Sequence, residues 1–261
     1  MAEIILITSF KGGVGKSTAA ANLSAKLAKA GKSVLLCDLD FDLGTLDLIT
    51  GCEDRMLFDV CDAVYGRRDV SDCVVTFPSV PGLHLLGAPF RREDITDPDG
   101  FASRLSEICS GYDYAILDTP GADSVTLAVA SRCADLAIVV ATHNPTSLRG
   151  AEKTADRLRQ NGVRCRLLIN CFDAGSVGGD KRTGILEMID ATKTPLLGVI
   201  PYDRTLMFAQ ERGVLADGPS FISSKAFENT AGRLLAEKTG ARPVPILSGV
   251  LRTNRKKVLT K

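Results

Sequence analysis

The chain has 261 residues, of which 45% are hydrophobic and 24% are charged, and its formal net charge is +1. This length suits one large domain with a sizeable buried core, and the balanced charge excludes a global field that attracts nucleic acid. The eight cysteines include no C-x-x-C pair and lie mostly in apolar segments, which is typical of small buried side chains in a reducing cytosol. No apolar run reaches about 18 residues and no secretory signal opens the chain, so we expect neither a membrane-spanning helix nor export.

Short apolar runs alternate with helical patterns along the whole chain. The predicted strands are residues 4–8, 33–38, 83–88, 114–118, 136–141, 166–170 and 196–200. The predicted helices are residues 17–30, 99–110, 124–133, 146–160, 184–191, 204–211 and 220–239, with a further candidate at 58–65. Continuous Val/Ile/Leu runs without alternation indicate strands that are buried on both faces. The pattern predicts an α/β fold with a doubly wound, mainly parallel sheet and helices on both faces, which binds its ligand at the carboxyl ends of the strands.

The first predicted strand leads into a glycine-rich loop that contains two lysines. Strand, glycine-rich loop, lysine, hydroxyl and helix follow one another as in a phosphate-binding loop, whose backbone N–H groups hold a polyphosphate. The residues predicted to bind nucleotide here are Gly12, Gly13, Val14, Gly15, Lys16, Ser17 and Thr18. Lys16 would reach the β- and γ-phosphates, and Ser17 would offer its hydroxyl to Mg²⁺. The loop departs from the general G-x-x-x-x-G-K-[ST] pattern at Phe10, which stands where the first glycine is expected.

Carboxylates follow two later strands. Asp38, Asp40 and Asp42 come at alternate positions after the second predicted strand, where buried carboxylates are costly unless a cation or a water network uses them. Asp118 ends the strand at 114–118, which is the Walker B arrangement of a Mg²⁺ ligand. Thr119-Pro120-Gly121 would form the second switch, whose backbone can sense the γ-phosphate. The predicted metal ligands are Ser17, Asp38, Asp40 and Asp118. A polar loop and a turn-forming aspartate are the alternative interpretation.

Two later strands end in residues that suit the base of a nucleotide. Asn170 carries both a donor and an acceptor and can pair with adenine, and Pro201 and Asp203 follow the last predicted strand. The family resemblance described below implies that these three residues lie on the base side of the nucleotide. The alternative is that an asparagine and a proline simply form turns after the strands.

The chain changes character near Gly240, which divides it into a domain at 1–240 and a tail at 241–261. The tail is basic and without acidic residues. On a helix, its apolar residues would share one face opposite Arg252, Arg255 and Lys256, as in a helix that lies on anionic lipid. A disordered basic tail and a tail docked on the domain remain open as alternatives.

The sequence Lys11-Gly12-Gly13-Val14-Gly15-Lys16-Ser17-Thr18 resembles the deviant phosphate-binding loop of the MinD/ParA family of ATPases. Residues 46–53, Leu-Asp-Leu-Ile-Thr-Gly-Cys-Glu, resemble the MinD branch of that family, and the resemblance covers nearly the whole chain. It implies that Asp38 and Asp40 belong to the first switch, with Asp40 orienting the attacking water. It also implies an ATP-dependent homodimer in which Lys11 reaches the phosphates held by the partner, so that Lys11, Lys16 and Asp40 are the expected catalytic residues.

The resemblance further implies a slow Mg²⁺-dependent ATP hydrolase that an activating protein of the MinE or MinC kind stimulates. Such a protein moves between the cytoplasm and the inner face of the cell membrane, selects the division site and binds no specific nucleic acid. The alternative is a ParA-like or flagellar-number-type ATPase that acts on DNA or a polar scaffold. An iron–sulfur carrier would need paired cysteines, and a tyrosine-kinase relative would need a tyrosine-rich tail, and the chain has neither.

Overall fold

The structure is a computed structural model that describes residues 2–176, 183–242, 244–248 and 251–252. Its strands form one eight-stranded sheet. They are β1 (Glu3–Thr8), β2 (Val34–Asp38), β3 (Val74–Thr76), β4 (Leu83–Leu86), β5 (Tyr114–Asp118), β6 (Leu136–Ala141), β7 (Arg164–Phe172) and β8 (Leu196–Pro201). The order across the sheet is β3-β4-β2-β5-β1-β6-β7-β8, and all neighbours are parallel except β3 and β4.

The helices connect these strands and cover the sheet. They are α1 (Lys16–Lys29), α2 (Leu46–Thr50), α3 (Val60–Val64), α4 (Val70–Cys73), α5 (Pro98–Cys109), α6 (Val125–Cys133), α7 (Pro145–Gln160), α8 (Ile185–Thr192), α9 (Arg204–Gln210) and α10 (Ser224–Thr239). A single 3-10 turn spans Glu53–Arg55. Several helices start at a side-chain cap, as where Asn144 accepts a hydrogen bond from the Ser147 N–H at the start of α7.

Strand β1 lies at the centre of the sheet and contributes to both layers of the core. Ile4 and Leu6 belong to the apolar cluster on one face of the sheet, whereas Ile5 and Ile7 belong to the cluster on the other face. Both faces of the strand are therefore buried, which explains why polar and apolar residues do not alternate along it. The chain runs from β1 to β2 on one side and returns to β6 on the other, so the carboxyl end of β1 lies where the strand order reverses.

The predicted α/β sheet is confirmed, and the differences lie between residues 46 and 86. Strand β3 and helices α2 and α4 were not predicted. Each is five residues or shorter, so a periodic pattern has no length in which to develop. Strand β3 pairs antiparallel at the edge of the sheet, where its Thr76 is exposed and its Val75 is buried.

The described part of the tail is docked on the domain. Helix α10 ends at Gly240, whose left-handed φ of 70° stops the helix. The Arg233 guanidinium then donates to the Val244 carbonyl at 3.1 Å, and the Asn229 amide donates to the Pro245 carbonyl at 3.2 Å. Leu251 is only 1% exposed. These contacts fit the docked-tail alternative for the described residues 244–248 and 251–252, and the predicted division of the chain at residue 240 remains a prediction.

Three apolar tail residues, Ile246, Leu247 and Leu251, join the core cluster that contains Ile185 and Met188 of α8. The predicted lipid-facing side of the tail is thus partly turned toward the protein. The remaining residues of that prediction, Gly249, Val250 and 253–261, lie outside the described residues. In the part of the chain that the structure describes, no helix has the length and apolar character needed to cross a bilayer. All eight cysteines are free, and all but Cys171 are buried.

Candidate active site

The predicted site residues meet at the carboxyl edge of β1, β2 and β5. Asp118 is the register partner of Ile7 in β1 and of Asp38 in β2, so the two aspartates are neighbours across adjacent strands. The glycine-rich loop begins directly after β1. Because parallel strands present their carboxyl ends at one edge, residues that are 80 positions apart along the chain, Asp38 and Asp118, come together there.

The glycine-rich loop is built for an anion. Gly13 and Gly15 have φ values of 73° and 84°, in the left-handed region that a side chain disfavours. Gly15 is the N-cap of α1 and has no side-chain hydrogen bond to offer, so the first N–H groups of the helix are left for a ligand. Val14 is buried, and its carbonyl accepts a hydrogen bond from the Asn170 amide at 2.9 Å. The Asn170 amide therefore fixes the loop at Val14.

Lys16 is a buried cation without a counter-ion. It is only 8% exposed, and its ammonium makes no ion pair or hydrogen bond with any residue that the structure describes. The position that a Cβ would occupy on Gly121 lies 3.3 Å from Lys16 Nζ, so the second switch lies against the ammonium. A buried ammonium is costly unless an anion compensates it, and a polyphosphate on the loop would supply that anion.

Asp118 is the matching buried carboxyl group. It is fully buried, and neither carboxylate oxygen has a hydrogen-bond partner among the described residues. Burial, reinforced by the charge of Asp38, raises the pKa of Asp118 to about 8, and the Ser17 hydroxyl and Lys16 partly offset that shift. The Ser17 hydroxyl lies near the Asp118 carboxyl group but forms no hydrogen bond with it. A carboxylate in this state is suited to a bound cation.

Asp38 organises the loop that follows β2. Its carboxylate accepts hydrogen bonds from the backbone N–H groups of Asp40, Thr45 and Leu46, each at 3.0 Å. Burial raises the pKa of Asp38 to about 6, although these hydrogen bonds oppose the shift. The Asp40 carboxylate in turn accepts from the Leu43 N–H at 3.2 Å and is half-buried at the rim of the site. Asp38 thus sets the position of Asp40.

The donors at this edge fit a Mg²⁺ ion that takes most of its ligands from phosphates and water. Among the described residues, no three His, Cys, Asp or Glu side chains form a metal cage. Mg²⁺ characteristically uses one or two protein ligands together with substrate phosphates. Ser17 and the unpartnered Asp118 are the residues that would hold it, with Asp38 and Asp40 beside them. The metal would neutralise phosphate charge, and the four predicted ligands remain predictions.

The predicted base-side residues are already used by the protein. Asn170 is 3% exposed and holds the Val14 carbonyl. The Asp203 carboxylate caps α9 by accepting from the Leu206 N–H, and it also accepts from the N–H and hydroxyl of Ser223. Pro201 is buried at the end of β8. All three lie at the carboxyl edge of the sheet, and their contact with a base stays a prediction.

Sequence reasoning missed two side chains that fasten the loop and α1. Gln210 at the end of α9 accepts a hydrogen bond from the Thr18 hydroxyl at 3.2 Å. Thr154 of α7 accepts from the Phe10 N–H at 2.9 Å. They are separated by 192 and 144 residues from their partners, and neither belongs to a motif. The only sequence signal near them is the anomalous Phe10.

Replacing Asp118 with asparagine should stabilise the nucleotide-free protein and weaken Mg²⁺-dependent ATP binding. At neutral pH the folded protein must either protonate Asp118 or carry its charge without a partner, and asparagine avoids both costs, so we expect the unfolding free energy to rise by about 1–3 kcal/mol. The Asp118 pKa is raised from 3.8 to about 8 on folding, so the stability that this group contributes is full below 3.8 and is lost as the pH rises to about 8. Urea denaturation at several pH values should show the gain of Asp118→Asn growing across this window. Asp123→Asn, an exposed neighbour, is the control, and equal gains in both variants would contradict the assignment.

Gly121→Ala should impair nucleotide binding while the domain remains folded. The added Cβ would lie 3.1 Å from the backbone N and Cα of Gly12 and 3.3 Å from Lys16 Nζ, closer than most real Cβ contacts. We expect the glycine-rich loop and the ammonium to shift, with at least a tenfold loss of ATP affinity, or about 1.4 kcal/mol. Calorimetric titration with MgATP measures this, with Ala122→Ser as the control at the adjacent exposed position. If Gly121→Ala binds MgATP as tightly as the parent does, the second switch can shift without disturbing the glycine-rich loop.

Comparisons with known proteins agree with this geometry. A family model described as "AAA domain" matches residues 2–166. The septum site-determining protein MinD of Helicobacter pylori is 31% identical over 247 residues, which cover 91% of this chain and 92% of the relative. MinD of Escherichia coli K12 is 29% identical over 251 residues, with 91% and 93% of the two chains covered.

A solved structure from Aquifex aeolicus, of a MinC:MinD cell division protein complex, superposes with a TM-score of 0.84 and 30% identity, covering 95% of this chain and 99% of that one. The similarity to these proteins covers at least nine-tenths of this chain. This whole-chain similarity agrees with the geometry of the site. This chain belongs to the MinD/ParA family of P-loop ATPases.

Proposed function

We propose that this chain is a MinD-type ATPase that takes part in selecting the division site. The observation that carries the proposal is the coincidence of two facts. The buried charges of Lys16 and Asp118 are left for a magnesium nucleotide, and relatives that match the chain over about nine-tenths of both lengths are septum site-determining proteins. The Aquifex relative was solved together with MinC, which supports a protein partner for this chain as well.

The residues of the site have distinct tasks in ATP hydrolysis. The N–H groups at the start of α1 and the Lys16 ammonium bind the β- and γ-phosphates, which compensates the buried cation. Ser17 and Asp118 hold Mg²⁺. Asp40, held at the rim by Asp38, orients the water that attacks the γ-phosphate. Hydrolysis is slow in the single subunit because no described cation other than Lys16 is directed at the γ-phosphate.

Lys11 is the residue that a second subunit would use. Its side chain is exposed and makes no ion pair with any described residue, although it stands beside the phosphate cradle. Large apolar side chains are exposed nearby: Leu43 after the first switch at 75%, and Met207 and Phe208 on α9 at 51% and 52%. An ATP-dependent dimer would bury such residues and bring the Lys11 of each subunit to the nucleotide of the other.

Lys11→Ala should bind ATP as a monomer and fail to dimerise or hydrolyse it. The reason is that its charge serves the phosphates of the partner, so the subunit's own cradle remains intact. Mixing Lys11→Ala with Lys16→Ala, which keeps Lys11 and cannot bind nucleotide, should restore turnover in one of the two sites. Light scattering and phosphate release are the measurements. Loss of ATP binding in the Lys11→Ala monomer, without rescue on mixing, would place Lys11 at its own nucleotide.

Membrane attachment through the tail is part of the proposal. Because Ile246 and Leu247 are docked on the domain, the tail can attach only after these contacts break. Those side chains must leave the α8 surface before they can enter lipid. The basic residues Arg255, Lys256 and Lys257 would provide attraction to anionic headgroups at about 1 kcal/mol each. One tail would bind weakly, and two tails on a dimer would act together.

Sedimentation with vesicles of phosphatidylglycerol tests this attachment. The intact protein should pellet in ATP and remain in solution in ADP, and salt should weaken the binding. Replacing Arg255, Lys256 and Lys257 with serine should abolish it without affecting dimerisation, whereas replacing the three domain residues Arg149, Lys153 and Arg157 should not. A parent protein that stays in solution with ATP and vesicles but pellets with duplex DNA would instead favour a ParA-like positioning ATPase.

A further inference from the structure

The residue that replaces the first glycine of the phosphate-loop pattern is attached to α7. The Phe10 N–H donates a hydrogen bond to the Thr154 hydroxyl at 2.9 Å. Phe10 also packs against the core cluster that contains Leu127 of α6 and Leu158 of α7. With those residues it lines a cavity of ≈ 40 Å³ between the two helices. The aromatic ring thus anchors the start of the glycine-rich loop in the protein interior.

The Thr154 hydroxyl is fixed in both of its roles. It is 1% exposed, and it donates to the Gly150 carbonyl one turn earlier at 2.8 Å. A hydroxyl has only one proton, so a lone pair is left to accept from Phe10. The orientation of the acceptor is therefore set by α7 and not by solvent. A threonine, serine or similarly placed hydroxyl is required for this link.

Gly150 allows α7 to come close to Lys11, the residue that follows Phe10 in the loop. A Cβ built on Gly150 would lie 3.3 Å from the Lys11 Cβ and 3.7 Å from the Lys11 N. Glycine inside a helix costs about 1 kcal/mol relative to alanine, so its presence in the middle of this 16-residue helix has a packing reason. That reason is the close approach of the loop backbone. Helix α7 thus packs against the Cβ of Lys11.

The far end of Lys11 has no such support. Its backbone N–H donates to the Ser9 hydroxyl at 3.3 Å, but its ammonium makes no ion pair within the described residues. A lysine has a flexible four-carbon stem, and aiming it at a distant anion costs side-chain entropy. Fixing the Cα–Cβ direction removes part of that cost before the anion arrives.

We propose that Thr154, together with Gly150 and Phe10, is a positioning residue that aims Lys11 at the nucleotide of the partner subunit. The inference rests on the proposed role of Lys11 and adds the residues through which α7 sets its direction. It also assigns a task to Phe10, which is the anchor that ties the lysine to α7. The nucleotide cradle formed by residues 12–18 follows this link in the chain and has its own support from Asn170, so we expect it to bind ATP without the link.

Thr154→Val tests the proposal because it keeps the volume of the side chain and removes the hydroxyl. We expect kcat for ATP hydrolysis to fall about fivefold to tenfold, as befits one lost buried hydrogen bond, while KM for ATP and the affinity of the monomer stay at parent values. Thr154→Ser should recover most of the loss. Thr192→Val is the matched control, since Thr192 is equally buried and donates one turn back to the Met188 carbonyl at 2.7 Å, far from the loop. A parent-like kcat in Thr154→Val, or an equal loss in Thr192→Val, overturns the proposal.

Gly150→Ala provides a readout in which stability and activity separate. Alanine favours the helix, and its Cβ would displace the root of Lys11, so we expect an unchanged or higher melting temperature together with a lower kcat. A lower kcat that follows a lower melting temperature, with a raised KM, would indicate general damage and would count against positioning.

Mixed dimers separate this inference from the role of Lys11 itself, because Lys11→Ala alone is not expected to hydrolyse ATP. In the mixture of Lys11→Ala with Lys16→Ala, turnover takes place on the Lys11→Ala subunit with the Lys11 of the other subunit. If Thr154 acts through Lys11, then Thr154→Val lowers the restored turnover when it is placed in the Lys16→Ala subunit and leaves it unchanged when it is placed in the Lys11→Ala subunit. Equal losses in both placements overturn the inference and leave the Lys11 role standing. If Lys11→Ala alone hydrolyses ATP at the parent rate, the proposed role of Lys11 fails first, and the positioning of Lys11 by α7 has no catalytic consequence.

Discussion

Two buried groups of opposite type, the Lys16 ammonium and the Asp118 carboxyl, govern the structure at the carboxyl edge of the sheet. Lys16 is 8% exposed and Asp118 fully buried, and neither has a hydrogen-bond partner among the described residues. Natural proteins rarely tolerate such groups unless a ligand compensates them. The parallel strands β1, β2 and β5 provide the rigid frame that prevents both groups from turning toward water. The cost of burying both groups is relieved when a magnesium nucleotide binds, and this relief contributes to its affinity.

Close backbone approaches explain how binding at this edge can be transmitted. Gly121 lies against Gly12, and Gly150 lies against Lys11, so both the second switch and α7 touch the glycine-rich loop without intervening side chains. A shift of the loop by a few tenths of an ångström therefore reaches both neighbours, because packed elements cannot absorb it. The first switch is held in a different way, through the three backbone N–H groups that Asp38 accepts. All three connections lie at the carboxyl edge of the sheet, where we expect the phosphates to bind.

The sequence was sufficient to predict the sheet, seven of whose eight strands are buried apolar runs at the expected positions. It was also sufficient to place Lys16, Ser17, Asp38 and Asp118 at one edge, because parallel strands impose that placement. It could not predict short elements such as β3, whose pairing depends on a neighbour and not on its own three residues. Nor could it predict the attachment of Phe10 to Thr154, since a hydrogen bond over 144 residues leaves no local pattern. The tail shows the same limit, because amphipathic character does not say whether lipid or protein covers the apolar face.

Thermal denaturation with and without nucleotide measures the compensation of the buried charges most directly. We expect saturating MgATP, at about 100 times its dissociation constant, to stabilise the parent by about 2.7 kcal/mol, which corresponds to roughly 5–10 °C in melting temperature. ATP with EDTA should give a clearly smaller shift, because Asp118 then has no cation. Lys16→Ala, folded and tested alongside, should give almost none. A full shift without Mg²⁺, or one that persists in Lys16→Ala, would contradict the view that these two buried charges are held for a magnesium nucleotide.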